Sequence, residues 1–135
     1  MNQPKHEYMS TVDHSRKSIL ARGCDPFASL EASKAIPPLV GNPEYVPTTT
    51  DEEFIEKLQS QKWSVVLFAP GACRFSAAKL PIPGGNSQTQ GWTLEQYREL
   101  VQRHQGDSIP IVETPEERET VRLLKEALES ARETN

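Results

Sequence analysis

Cys73 is the residue whose neighbours most favour chemistry. It follows the apolar run Val65-Val66-Leu67-Phe68 and stands in the sequence Cys73-Arg74-Phe75-Ser76. A thiol just past the C-terminal end of a buried strand sits at a crevice, half exposed, where a substrate can reach it. The Arg74 guanidinium favours the thiolate, and a helix starting here would add its positive end. Ser76 is placed to donate a hydrogen bond to that thiolate. These neighbours suggest a reactive thiolate, and Ser76 cannot release a mixed disulfide as a second cysteine would. Cys73 can still form a mixed disulfide with a partner or with glutathione, or be oxidised to a sulfenic acid. The other cysteine, Cys24, is a candidate distant resolving thiol. The alternative is that Cys73 is a small buried hydrophobe and Cys24 a bystander in a loop.

Other constellations carry less. His6, His14 and His104 have no metal-ligand spacing, so no metal is expected. Gly84-Gly85-Asn86 lacks the Lys-Ser/Thr that a phosphate loop needs and reads as a turn. Arg16-Lys17-Ser18 has the form of a kinase target in a solvated tail. Nothing implies a cofactor. The net charge is −4 with no basic stripe, which argues against nucleic acid. No run approaches the roughly twenty apolar residues of a membrane helix, and no secretory signal is visible. Two cysteines 49 residues apart do not make a disulfide scaffold, so a reduced, cytoplasmic setting is expected.

The elements that must position Cys73 follow from punctuation and periodicity. Residues 1–24 are polar and read as disordered. Asp25-Pro26 starts a short helix that ends before Pro37-Pro38. Residues 36–50 are Pro-rich and extended, with Tyr45-Val46 as a short edge strand. Thr50 to Glu53 has capping-box spacing, and Phe54, Ile55 and Leu58 continue as a helical stripe. Val65 to Phe68 does not alternate, as in a parallel strand buried on both faces. A loop over 81–92 leads to a second capping box at Thr93 to Gln96, with Trp92 and Tyr97 as its hydrophobic staple. Leu94, Tyr97, Leu100, Val101 and His104 share a face, and Gly106 stops the helix. Ile109 to Val112 is a second strand, whose proline marks an edge or a strand start. Thr114-Pro115-Glu116-Glu117 starts a last helix with Val121, Leu124, Leu128 and Ala131 inward. Strands separated by helices pair in parallel. The expected fold is a small three-layer α/β sandwich with a short, mainly parallel sheet. The expected domains are an irregular segment over 1–43 and a compact domain over 44–135.

Over residues 44–132 this order resembles an abbreviated thioredoxin-like domain. Phe54 and Leu58 match the helix before the family's apolar strand, Val65 to Phe68 the strand, and Ala69-Pro70 the approach to the motif. Cys73 to Ser76 stand in the place of the family's C-x-x-C or C-x-x-S, and Pro81 lies eight residues after Cys73. Ser76 departs from the dithiol form, and Ala72 stands where the family has tryptophan. The resemblance implies thiol–disulfide redox chemistry at Cys73. Two functions are therefore expected. One is a non-catalytic or weakly redox-active module that binds a protein partner. The other is a monothiol redox protein that uses Cys73, Arg74 and Ser76.

Overall fold

The computed structural model describes residues 12–69, 87–89, 92–114 and 116–134. The elements run β1 (Ser18–Arg22), α1 (Pro26–Ala35), β2 (Glu44–Thr48), α2 (Asp51–Ser60), β3 (Val65–Phe68), α3 (Leu94–Gln105), β4 (Ile111–Glu113) and α4 (Thr120–Ser130). Single 3-10 turns lie at Pro37–Leu39 and Glu117–Glu119. The four strands form one sheet in the order β2-β1-β3-β4, every pair parallel. The chain moves from β1 to one side, then crosses back and fills the other side.

Side-chain alternation along the two central strands makes the layers. Leu20, Val66 and Phe68 face α2 and α3, where they meet Phe54, Leu58, Tyr97, Leu100 and Val101. Ile19, Ala21, Val65 and Leu67 face the opposite way and meet Val40, Leu124 and Leu128. All four residues of β3 are buried, as its unbroken apolar run predicts. A fully buried Leu, Val or Phe contributes about 1.5–3 kcal/mol, so these two clusters supply the main drive to fold. The result is the expected small three-layer α/β structure.

One expectation fails. Ser18–Arg22 lies in the segment read as irregular, yet it is a central strand with every residue buried. A domain beginning at residue 44 would lose the strand that joins β2 to β3. The strand escapes notice because only Ile19, Leu20 and Ala21 are apolar, and basic residues flank them. Ser18 is 0% exposed and its Oγ is 2.7 Å from Thr134 Oγ1, so it is not the accessible hydroxyl of a kinase target.

The helix starts follow local chemistry. Asp25 Oδ1 accepts from the Phe27 and Ala28 amides at the head of α1, and Pro26 fills the first helical position. Thr50 Oγ1 accepts from the Glu53 amide, while the Glu53 carboxylate takes the Thr49 amide rather than that of Thr50. Thr93 and Gln96 close a full capping box, and the Trp92 and Tyr97 rings meet at 5.4 Å as its staple. Gly106 ends α3 at φ +99°, a conformation that other residues rarely adopt. The last helix begins later than expected. Thr114 Oγ1 accepts from the Glu116 amide and closes a turn, and α-helical geometry is reached only at Thr120.

The C-terminal tail clamps the N-terminal ends of the two central strands, β1 and β3. Ser64 Oγ donates to the Arg132 carbonyl at 2.6 Å, and Arg132 Nε returns a bond to the Trp63 carbonyl at 2.9 Å. The Thr134 amide donates to the Arg16 carbonyl at 2.8 Å.

Candidate functional site

In a parallel sheet, ligands and reacting groups gather at the C-terminal ends of the strands, where the chain order switches side. That point here lies between β1 and β3. The chain leaves β1 through Gly23 and Cys24, and leaves β3 through Ala69. The two exits touch: the Ala69 amide donates to the Arg22 carbonyl at 3.1 Å. A Cβ on Gly23 would stand 4.0 Å from the Ala69 Cβ and 2.4 Å from Ser29 Oγ of α1. Glycine therefore lets α1 close down on this corner. Cys24 is half-buried there, directly before the Asp25 cap.

Cys73, Arg74 and Ser76 lie outside the described residues. So does Gly84-Gly85-Asn86. Cys24 does not lie in an irregular tail: it follows the end of β1, two residues past Arg22, whose carbonyl accepts from the Ala69 amide. Three residues lie between Ala69 and Cys73, so the chain can span at most about 14 Å from one to the other.

Beneath this corner lies a buried charge cluster that the sequence did not announce. Arg22 follows the alternation of β1 onto the face of α2 and α3, and its side chain is 0% exposed. Its Nε and Nη2 donate to Asp51 Oδ1 at 2.9 and 2.8 Å, and its Nη1 donates to the Gly23 carbonyl. Asp51, also 0% exposed, is the first residue of α2, where the helix dipole favours a carboxylate. Its Oδ2 accepts from Thr89 Oγ1 at 2.7 Å and from the Tyr97 hydroxyl at 2.6 Å. The carboxylate thus takes four donors and the guanidinium is paired, which is what a buried ion pair requires. Burial, then the bond to Asp51 and its negative charge, push the Tyr97 hydroxyl up to about 12.

At the end of β4, Arg98 grips Glu113 with two bonds, Nε to Oε2 at 2.8 Å and Nη2 to Oε1 at 2.5 Å. A shallow groove of about 300 Å³ runs between β4 and α4, lined by Ile111, Val112, Glu113, Leu123, Glu126 and Ala127. It is open to solvent, and its polar groups, Glu113 and Glu126, are already paired with arginines.

Sequence reasoning missed Arg22 and Thr89 and read Asp51 and Tyr97 only as parts of helix starts. An arginine closing an apolar triplet was the one available signal for Arg22. Nothing local marks Thr89. Among the described residues no group of three or more His, Cys, Asp or Glu could hold a metal ion. None of the described helices is long and apolar enough to cross a membrane. No family model, curated protein or solved structure matches the chain.

Proposed function

We propose that the protein carries out thiol–disulfide exchange with Cys73 as nucleophile and Cys24 as resolving thiol. One observation carries this: Cys24 stands at the switch point of the sheet, with the exit of β1 bonded to the exit of β3 that leads to Cys73. The chemistry balances without a cofactor. The Cys73 thiolate attacks a substrate disulfide, forms a mixed disulfide and expels one substrate thiolate. The Cys24 thiolate then attacks Cys73 Sγ, expels the second substrate thiolate and leaves a Cys24–Cys73 disulfide. Two electrons pass to the substrate, and an external thiol such as glutathione restores the protein. The roles follow from the neighbours. Arg74 favours a thiolate at position 73, with Ser76 as a hydrogen-bond donor, whereas Asp25 sets a carboxylate beside Cys24. The thioredoxin-like spacing around Cys73 agrees with this chemistry, which suits a reducing, cytoplasmic setting.

The test is the reaction of the reduced protein with an aromatic disulfide that releases a coloured thiolate. Two equivalents per protein and no retained adduct are expected, against one equivalent and a stable adduct for Cys24→Ser. A wild-type protein that keeps an adduct on each cysteine would end the proposal.

A second reading, a non-catalytic protein-binding module, rests on α1. No residue of that helix is buried. Its inward positions are small, with Ser29, Ala32 and Ser33 half-buried, while Phe27 and Leu30 are 71% and 50% exposed. A partner complex that survives Cys73→Ala but not Phe27→Ser with Leu30→Ser would favour it.

A further inference from the structure

His14 is a buried titratable side chain outside the exchange chemistry, and it lies in the arm that meets the end of the chain. We infer that residues 12–17 and residues 132–134 form one latch across the N-terminal ends of β1 and β3, and that proton uptake by His14 releases it.

The arm lies tight on a turn. The His14 amide donates to the Gly41 carbonyl at 2.8 Å. Gly41 has φ +94°, and a Cβ there would stand 2.4 Å from the Val12 carbonyl oxygen and 3.0 Å from His14 Cδ2. Glycine thus lets the arm and the imidazole rest directly on the backbone of the turn. The arm bends where the Lys17 amide donates to the His14 carbonyl at 2.9 Å, and the Lys17 carbonyl accepts from the Glu44 amide at the start of β2 at 3.0 Å. Two further bonds join the arm to the end of the chain. Lys17 Nζ donates to the Leu128 carbonyl in the last turn of α4, where the helix dipole favours a cation. The Thr134 amide donates to the Arg16 carbonyl at 2.8 Å. Arm and tail therefore hold each other.

The closed latch has no place for a second proton on His14. The side chain is 6% exposed, and its Nδ1 is buried with no hydrogen-bond partner among the described residues. A charged imidazole donates from both nitrogens, so it would leave a buried donor without an acceptor. The charged groups that face the ring are Lys17 and Asp13 on its own segment and Glu129 on α4. Burial first, and then Lys17, hold its pKa below the ordinary 6.5, against the attraction of Glu129 and Asp13. An arm lifted into water has the ordinary value. The latch is at full strength above about pH 6.5. Below it the open arm binds a proton before the closed arm does, and the latch weakens as pH falls.

The experiment is amide hydrogen exchange of the full chain, read by NMR at about pH 7.5 and about pH 5.5 and corrected for intrinsic rates. The amides of His14, Lys17 and Thr134 report the latch, and that of Val66, bonded to the Pro110 carbonyl, reports the core. The latch is expected to open at least about tenfold more often than the core, in a motion that low urea does not change. Its opening constant should rise about 3–10-fold on acidification, in arm and tail together, and in His14→Asn it should stay within about 1.5-fold. The wild-type His14 ring signals add a test that needs no variant: their midpoint should lie below about 6.5. Latch amides that exchange only with the core, or at the same rate at both pH values, would overturn the inference. So would a Thr134 amide that stays protected while the arm opens, an unaltered pH response in His14→Asn, or a ring midpoint at or above about 6.5.

Discussion

Asp51→Ala is the perturbation with the largest consequence that the geometry allows to be worked out. The substitution removes one half of an ion pair whose partners are both 0% exposed. Breaking such a pair costs about 3–5 kcal/mol, because the surviving charge stays buried without its counter-ion. The Thr89 and Tyr97 hydroxyls also lose their acceptor, at about 1–3 kcal/mol for each buried group. Water entering the vacated space relieves part of this, which leaves a loss of about 4–7 kcal/mol. A domain of this size has about 5–15 kcal/mol in all. Urea titration reads the effect. At a slope of about 2 kcal/mol per molar, the midpoint should fall by about 2–3.5 M. If the unpaired cation is the main cause, adding Arg22→Met to Asp51→Ala should recover at least about 2 kcal/mol, while the two hydroxyls stay unpaired. A loss below about 1 kcal/mol, as for an exposed pair, would refute the reasoning. So would a double variant no more stable than the single one.

Three further outcomes are expected. Tyr97 has a hydroxyl pKa raised to about 12, so it should stay protonated where free tyrosine ionises near 10. The stability it contributes is fully present below about pH 10 and is lost as pH rises toward 12; a Tyr97→Phe variant with an equally steep alkaline limb over that range would contradict this. His14 is 6% exposed, its Nδ1 has no hydrogen-bond partner among the described residues, and burial and then Lys17 lower its pKa, opposed by Glu129 and Asp13. Its unfolded form takes up a proton first, so stability should fall as pH drops below about 6.5, and His14→Asn should flatten that limb in denaturant titrations across pH. Arg132→Ala removes bonds to the Trp63 carbonyl and Gln105 Oε1, and should cost about 1–3 kcal/mol; an unchanged melting temperature would show that the tail clamp adds nothing.

How far the sequence could be read depended on whether a signal was local. The caps at Asp25, Thr50 and Thr93 are contacts within four residues, and each was legible. The unbroken Val65–Phe68 run announced a strand buried on both faces. Edge strands at Tyr45-Val46 and near Ile111 were marked by their prolines. Ser18–Arg22 was not legible, because its burial comes from neighbours on both sides, β2 and β3, which lie far along the chain. Arg22 misled most, since an arginine is rarely buried unless paired, and its partner Asp51 lies 29 residues away. Of the candidate site, the sequence supplied both cysteines. It separated them as tail and core, whereas the sheet brings the Cys24 exit against the exit that leads to Cys73.

The most direct measurement compares disulfide formation in the native and the urea-unfolded chain. The reduced protein is held with oxidised glutathione, and its peptides are mapped by mass without reduction. The expected result is a Cys24–Cys73 peptide pair that accumulates faster and to a higher level in the native protein, because the fold and not chance closure of a long loop brings the thiols together. The contrary result is a pair that forms only after unfolding, or two separate glutathione adducts in the native state.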